Sequence, residues 1–140
     1  MGLLRTRVLL ADDTAVVRTT IRRLLEQHSF EICGEASDGK EAVDKVRELK
    51  PDIIILDINM PVMNGVRAAM EIRRIAPEIY IVFLTAHAIP GVMHALRPVS
   101  DGFVGKTSVG RQLIPLLGRL AITPYRNPHT KVRTAAGGKA

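Results

Sequence analysis

Cysteine is almost absent. Cys33 is the only one in 140 residues, so no internal disulfide can form. The fold must rest on a packed core, and this length suits one compact domain. Cys33 lies in a strand-like segment and reads as a small buried apolar residue, consistent with a reducing, cytoplasmic setting. Long apolar runs are missing too. Stretches such as Ile53-Ile54-Ile55-Leu56 fall far short of the roughly 18 residues of a membrane span. The N-terminal apolar stretch ends in Asp12-Asp13, so no secretory signal peptide is expected. Met1-Gly2-Leu3-Leu4-Arg5-Thr6 meets a loose myristoylation pattern, but the pattern is short and Val8 to Ala11 are needed for a strand. Acidic residues are missing after Ile122, where Arg126, Lys131, Arg133 and Lys139 supply four of the six excess positive charges. The rest of the chain is nearly balanced, so the overall basicity says little about its function.

What is present is an alternation of short apolar runs with amphipathic stretches. That pattern predicts an α/β fold with a parallel sheet. Strands are expected at about Arg7 to Ala11, Glu31 to Ala36, Ile53 to Asp57, Tyr80 to Thr85 and Gly102 to Gly105. The first helix should run from about Ala15 to His28, with Val17, Ile21, Leu24 and Leu25 on one face. The second opens at Asp38, where Glu41 three residues on suggests a capping box, and Pro51 ends it. The third starts after Asn64-Gly65 and stops before Pro77. Pro90 and Gly91 delay the fourth helix and Pro98 cuts it short. The fifth is expected between Val109 and Ile122. Pro115 inside it predicts a kink or a break, since interior proline costs on the order of 3 kcal/mol. The folded domain is thus placed at residues 5–122, and 123–140 reads as a basic, disordered tail with Pro124, Pro128 and Gly137-Gly138.

Polar residues sit where the strands run out. Asp12 and Asp13 follow the first, Asp57 ends the third, Thr85 ends the fourth and Lys106 follows the fifth. In an open parallel sheet, ligands bind outside the carboxyl ends of the strands, where the winding reverses. If strands one and three are neighbours, three carboxylates converge there. Their repulsion calls for protonation or a cation. A small set of oxygen ligands suits Mg²⁺, which keeps several waters and bridges to phosphate. A nucleophilic carboxylate, a hard cation, a lysine and a hydroxyl suit phosphoryl transfer. Taken singly each residue has an ordinary reading: Asp12-Asp13 as a cap pair, Asp57 as a loop start, Thr85 as a strand residue and Lys106 as solvated surface. The case rests on their joint placement at strand ends.

Those residues carry a resemblance to the receiver domains of bacterial response regulators. It covers about Arg5 to Ile122 through Asp12-Asp13, Asp57-Ile58-Asn59-Met60-Pro61-Val62-Met63-Asn64-Gly65, Thr85-Ala86 and Phe103-Val104-Gly105-Lys106. Gly34 to Ala42 also resembles receivers fused to helix-turn-helix output domains. The resemblance implies a flavodoxin-like (βα)5 doubly wound sheet of order 2-1-3-4-5, with the fourth and fifth helices irregular here. It implies that Asp57 is the phosphoacceptor. Asp13, Asp57 and the Asn59 backbone carbonyl would bind Mg²⁺, with Asp12 acting through a metal-bound water. Lys106 would hold a phosphoryl oxygen and Ala86 would leave the site open. Thr85 and Phe103 would switch, and Asn59 and His87 would tune phosphoryl lifetime. The implied partner is a sensor histidine kinase or phosphotransfer protein in the cytoplasm, with a weak or phosphorylation-dependent homodimer at most. Thr107 stands where the family has proline after the lysine, and Arg97-Pro98-Val99-Ser100-Asp101-Gly102 replaces a small Ala-Gly-Ala type turn.

Other readings make different demands. A receiver-fold binding module that does not switch would bind Mg²⁺ without a phosphorylation-dependent change. An aspartyl-phosphate hydrolase would want a second carboxylate two residues after Asp57, where Asn59 stands. Nucleic-acid binding by the tail is disfavoured, because its basic residues are few and only Tyr125 could stack on a base. No DNA-binding domain and no membrane segment are expected in this chain.

Overall fold

A computed structural model describes residues 5–121. Five strands form one parallel sheet in the order β2-β1-β3-β4-β5. They are β1 Arg7–Ala11, β2 Glu31–Ala36, β3 Ile53–Asp57, β4 Tyr80–Thr85 and β5 Gly102–Gly105. These are the expected strands in the expected order. The helices are α1 Ala15–Glu26, α2 Gly39–Leu49, α3 Gly65–Ile75, α4 Pro90–Leu96 and α5 Val109–Ala121. The expected tail at 123–140 lies outside the described residues.

Strand periodicity sorts the core into two layers. Leu9, Ala11, Ile54, Leu56, Ile81 and Phe83 face one side, where Ala42, Val46, Ala68, Ile72 and Leu96 of α2, α3 and α4 cover them. Val8, Leu10, Ile53, Ile55, Val82 and Leu84 face the other, under Ile21, Leu25, Leu113 and Leu117 of α1 and α5. Every residue of β3 and β4 is buried, as two covered faces require. The winding reverses between β1 and β3, so the crevice opens at the ends of those strands.

Local chemistry sets the helix ends. Regular α1 stops at Glu26 rather than His28, because Ser29 turns to φ 67° and the Phe30 N–H bonds back to the Leu25 carbonyl. That closure matches a Schellman turn, with serine at the left-handed position. Asp38 caps α2 by accepting from the Glu41 N–H at 2.8 Å. The return bond misses the expected partner: Glu41 accepts from the Ser37 N–H at 2.8 Å, one residue before the cap. Cys33 is half-buried rather than fully buried, since β2 is an edge strand and its register with β1 shifts between Val8 and Leu9. Burial pushes its thiol pKa up.

The last third departs most from a regular repeat. α4 opens with Pro90 in its first turn and gives way to a 3₁₀ turn at Arg97–Val99 that contains Pro98. The unusual loop after it is pinned. Asp101 accepts the Ile81 N–H at 2.9 Å and pairs with Arg73 at 3.0 Å. Arg73 also donates to the carbonyls of Pro77, Ile79 and Val99. One arginine thus ties the end of α3 to the loop before β5. Of the kink or break expected at Pro115, the break does not occur, and α5 runs through it. Arg111 and Pro115 are both exposed, so water can take the carbonyl that proline cannot serve.

Candidate functional site

The carboxyl ends of β1, β3, β4 and β5 bring the expected residues together. Asp12 is 1% exposed and Asp57 3%, whereas Asp13 is exposed. Carboxylate oxygens of Asp12, Asp13 and Asp57 lie within 4.8 Å of one another. Lys106, at the end of β5, spans the two buried acids, its Nζ 2.9 Å from Asp12 Oδ2 and 3.2 Å from Asp57 Oδ2.

Backbone contacts fix the acids. The Asp12 N–H donates to the Ala36 carbonyl, and Asp12 Oδ1 accepts from the Thr14 N–H at 2.9 Å. Asp57 Oδ1 accepts from the Asn59 N–H at 3.2 Å, which closes a turn around Ile58 and leaves Asn59 exposed. The start of α3 presses on the same strand end. A Cβ on Gly65 would lie 2.0 Å from the Asp57 carbonyl oxygen, so only glycine fits. Between them, Val62 takes φ 67° and the Met63 N–H bonds to the Pro61 carbonyl at 2.6 Å, a strained three-residue turn.

The electrostatics are unbalanced. Burial and the neighbouring Asp12 charge push the Asp57 pKa up, against the opposing pull of Lys106 and the Asn59 N–H. Burial alone would lower the Lys106 pKa, but the Asp12 and Asp57 carboxylates outweigh it and hold the ammonium above its ordinary value. Asp12 Oδ2 is buried and paired with the Lys106 ammonium at 2.9 Å. Three carboxylates against one lysine leave a place for a hard cation. An all-oxygen donor set fits Mg²⁺.

The remaining expected residues ring this pocket. Thr85 is buried, and its hydroxyl is engaged locally: Oγ1 donates to the His87 carbonyl at 2.6 Å and accepts from the His87 N–H at 3.2 Å. Ala86 and His87 are exposed beside it. Phe103 is half-buried and stacks on Phe83, with ring centroids 5.7 Å apart. One residue at the pocket was not foreseen. Arg18 Nη1 donates to the Asp12 carbonyl at 2.6 Å. Its available signal was an arginine one turn into α1 facing Glu35 on the adjoining strand.

Similarity to known proteins follows this geometry. The family model for the response regulator receiver domain matches residues 8–117. The chain is 35% identical over 116 residues to the chemotaxis protein CheY of Thermotoga maritima, covering 82% of this chain and 97% of that one. It is 38% identical over 123 residues to the transcriptional regulatory protein PdtaR of Mycobacterium tuberculosis, covering 86% of this chain but 58% of the relative. The crystal structure of the response regulator domain of Thermotoga maritima CheB superposes with a TM-score of 0.71 at 34% identity, over 84% of this chain and 94% of that one. No described helix is long and apolar enough to cross a membrane. The chain belongs to the response regulator receiver family of two-component signal transduction.

Proposed function

We propose that Asp57 is the phosphoacceptor of this receiver and that a histidine kinase or phosphotransfer protein in the cytoplasm is its donor. The observation that carries this is the buried Asp57 carboxylate, spanned with Asp12 by one lysine beside the exposed Asp13. An Asp57 oxygen attacks phosphorus. The bond from phosphorus to the donor's imidazole nitrogen breaks, and its electron pair leaves with the imidazole, which is protonated. The product is an acyl phosphate, and no external redox partner is involved.

Asp13, Asp57 and the Asn59 backbone carbonyl would hold Mg²⁺, with Asp12 contributing through a bound water. The ion supplies charge neutralisation at the phosphoryl oxygens. Lys106 holds a second oxygen from the β5 side. Thr85 must release the His87 carbonyl to donate to the phosphoryl group, and Phe103 repacks when it does. Ala86 adds no bulk at the rim, while the exposed Asn59 and His87 would tune the lifetime of the adduct.

Incubation with Mg²⁺ and acetyl phosphate, read by intact mass, tests this. One base-labile phosphoryl adduct on the wild type, absent from Asp57→Asn, is expected. A folded wild type that gains no adduct overturns it.

One observation favours a second reading, a binding module that does not switch. The Arg73–Asp101 pair pins the loop between α4 and β5, next to Phe103. Under that reading Asp57 phosphorylates but amide resonances of α4 and β5 stay where they are.

A further inference from the structure

Arg18 lies in α1 and belongs to no ligand set, yet it reaches the pocket's backbone. Its guanidinium is two-armed. Nη1 donates to the Asp12 carbonyl at 2.6 Å, and Nε donates to Glu35 Oε1 at 2.8 Å. The side chain is 18% exposed. Glu35 is itself held by Arg22, whose Nε donates to Oε2 at 2.7 Å. Arg18 and Arg22 thus take different oxygens of Glu35.

The position of that carbonyl gives the contact its meaning. Asp12 is the first residue beyond β1, where sheet pairing stops. Its N–H is still held by the Ala36 carbonyl. Its own carbonyl has passed the end of the sheet, and Arg18 takes the place of a strand partner. The peptide plane is rigid, so holding the Asp12 oxygen also fixes the N–H and Cα of Asp13. Asp13 needs that help. Its carboxylate is exposed, and among the described residues its one hydrogen-bond contact is the Thr14 hydroxyl at 3.4 Å. Where the Asp13 Cα is held thus limits where its carboxylate can reach.

We propose that Arg18, braced by Glu35, is a positioning residue that orients the Asp12–Asp13 peptide so that the Asp13 carboxylate meets the cation. This rests on the Mg²⁺ reading above. It also predicts a sign that plain electrostatics would reverse. Removing a positive charge beside an acidic pocket tightens cation binding by Coulomb attraction. Removing a group that aims a ligand weakens it, by tenfold or more where such supporting contacts have been removed at metal sites.

The test is Mg²⁺ titration of the ¹⁵N-labelled full chain, following the amide resonances of Asp13, Asp57 and Asn59. Wild type, Arg18→Ala and Arg22→Ala are compared. Both variants remove one cation from Glu35, but only the first releases Asp12. The expected result is about tenfold weaker Mg²⁺ binding in Arg18→Ala, and unchanged or slightly tighter binding in Arg22→Ala. At saturating Mg²⁺, phosphorylation by acetyl phosphate should return to near the wild-type rate. Unchanged or tighter binding in Arg18→Ala overturns the proposal, as does equal weakening in both variants. If Arg18→Ala does not fold, Arg18→Lys makes the same comparison, since it keeps the charge and loses the two-armed geometry. A wild type that shows no saturable shift removes the metal reading itself and this proposal with it. A wild type that binds Mg²⁺ normally while Arg18→Ala is unaffected removes this proposal alone.

Discussion

The two halves of the pocket are built differently. The β1–β3 half carries the three acids; Asp12 and Asp57 each accept from a backbone N–H, whereas Asp13 meets the Thr14 hydroxyl. Asp12, Asp57 and the start of α3 are fixed by hydrogen bonds or by close backbone approach. The β4–β5 half carries Thr85, whose hydroxyl bonds the backbone of the following loop, and Lys106, whose ammonium pairs with carboxylates. Thr85 is satisfied by its own loop, and Lys106 by carboxylates from across the crevice. A receiver has to hold its reacting carboxylate still and let its reporting surface move.

The largest expected effect comes from breaking the rigid half. Gly65→Ala puts a methyl against the Asp57 carbonyl, where neither backbone can give way. It should cost about 3 kcal/mol in urea unfolding and lower phosphorylation, because Asp57 is displaced. A loss below about 0.5 kcal/mol would show that this strand end is softer than the contacts imply.

Lys106→Ala joins the halves in one measurement. It leaves two buried carboxylates facing each other without their cation, at a cost of about 2.5 kcal/mol in metal-free protein, reduced because Lys106 is partly exposed. Mg²⁺ should restore a large part of that stability. An equal loss with and without Mg²⁺ would mean that the cation does not enter between these acids.

Asp101→Ala probes the other half. It leaves the Ile81 N–H and the Arg73 guanidinium without this acceptor, for about 2 kcal/mol. If the pin restrains switching, the variant should show a larger phosphorylation-dependent shift in α4 and β5 resonances than wild type. The same shift in both would remove the pin as a restraint.

The smallest effect lies at the edge of the rigid half. Burial alone would raise the Glu35 pKa, but Arg22 and Arg18 outweigh it and hold the carboxyl below its ordinary 4.5. A depressed folded pKa stabilises at pH values above the unfolded one and loses that contribution as acidification passes through the folded one. Glu35→Gln should therefore cost on the order of 1 kcal/mol at pH 7. The gap to wild type should narrow steadily below pH 4.5. A gap that does not depend on pH would assign the effect to packing.

Much of this was legible in the residues. Strands showed as buried apolar runs, and each acid stood at a strand end because a carboxylate cannot continue a core strand without a partner. Pro90 and Pro98 marked the limits of a short α4 correctly. The misses share a cause. A break at Pro115 was one of two outcomes expected from helix propensity, whereas its exposure made the lost hydrogen bond tolerable. Cys33 was judged on strand membership, whereas its strand lies at the sheet's edge. The Glu41 return bond went to Ser37 through a difference of one residue in reach.

By itself the sequence determined the order of elements, the two-faced sheet and the identity of the groups at each strand end, because these follow from period and local chemistry along a few residues. Only the tertiary structure decided which groups touch. Lys106 reaches Asp12 across most of the chain, Arg73 meets Asp101 between two elements, and Arg18 holds the Asp12 carbonyl against an anchor on β2. Such contacts depend on distances between elements that no local pattern encodes. They exist because packing two helical layers onto one twisted sheet brings distant side chains to the same few ångströms.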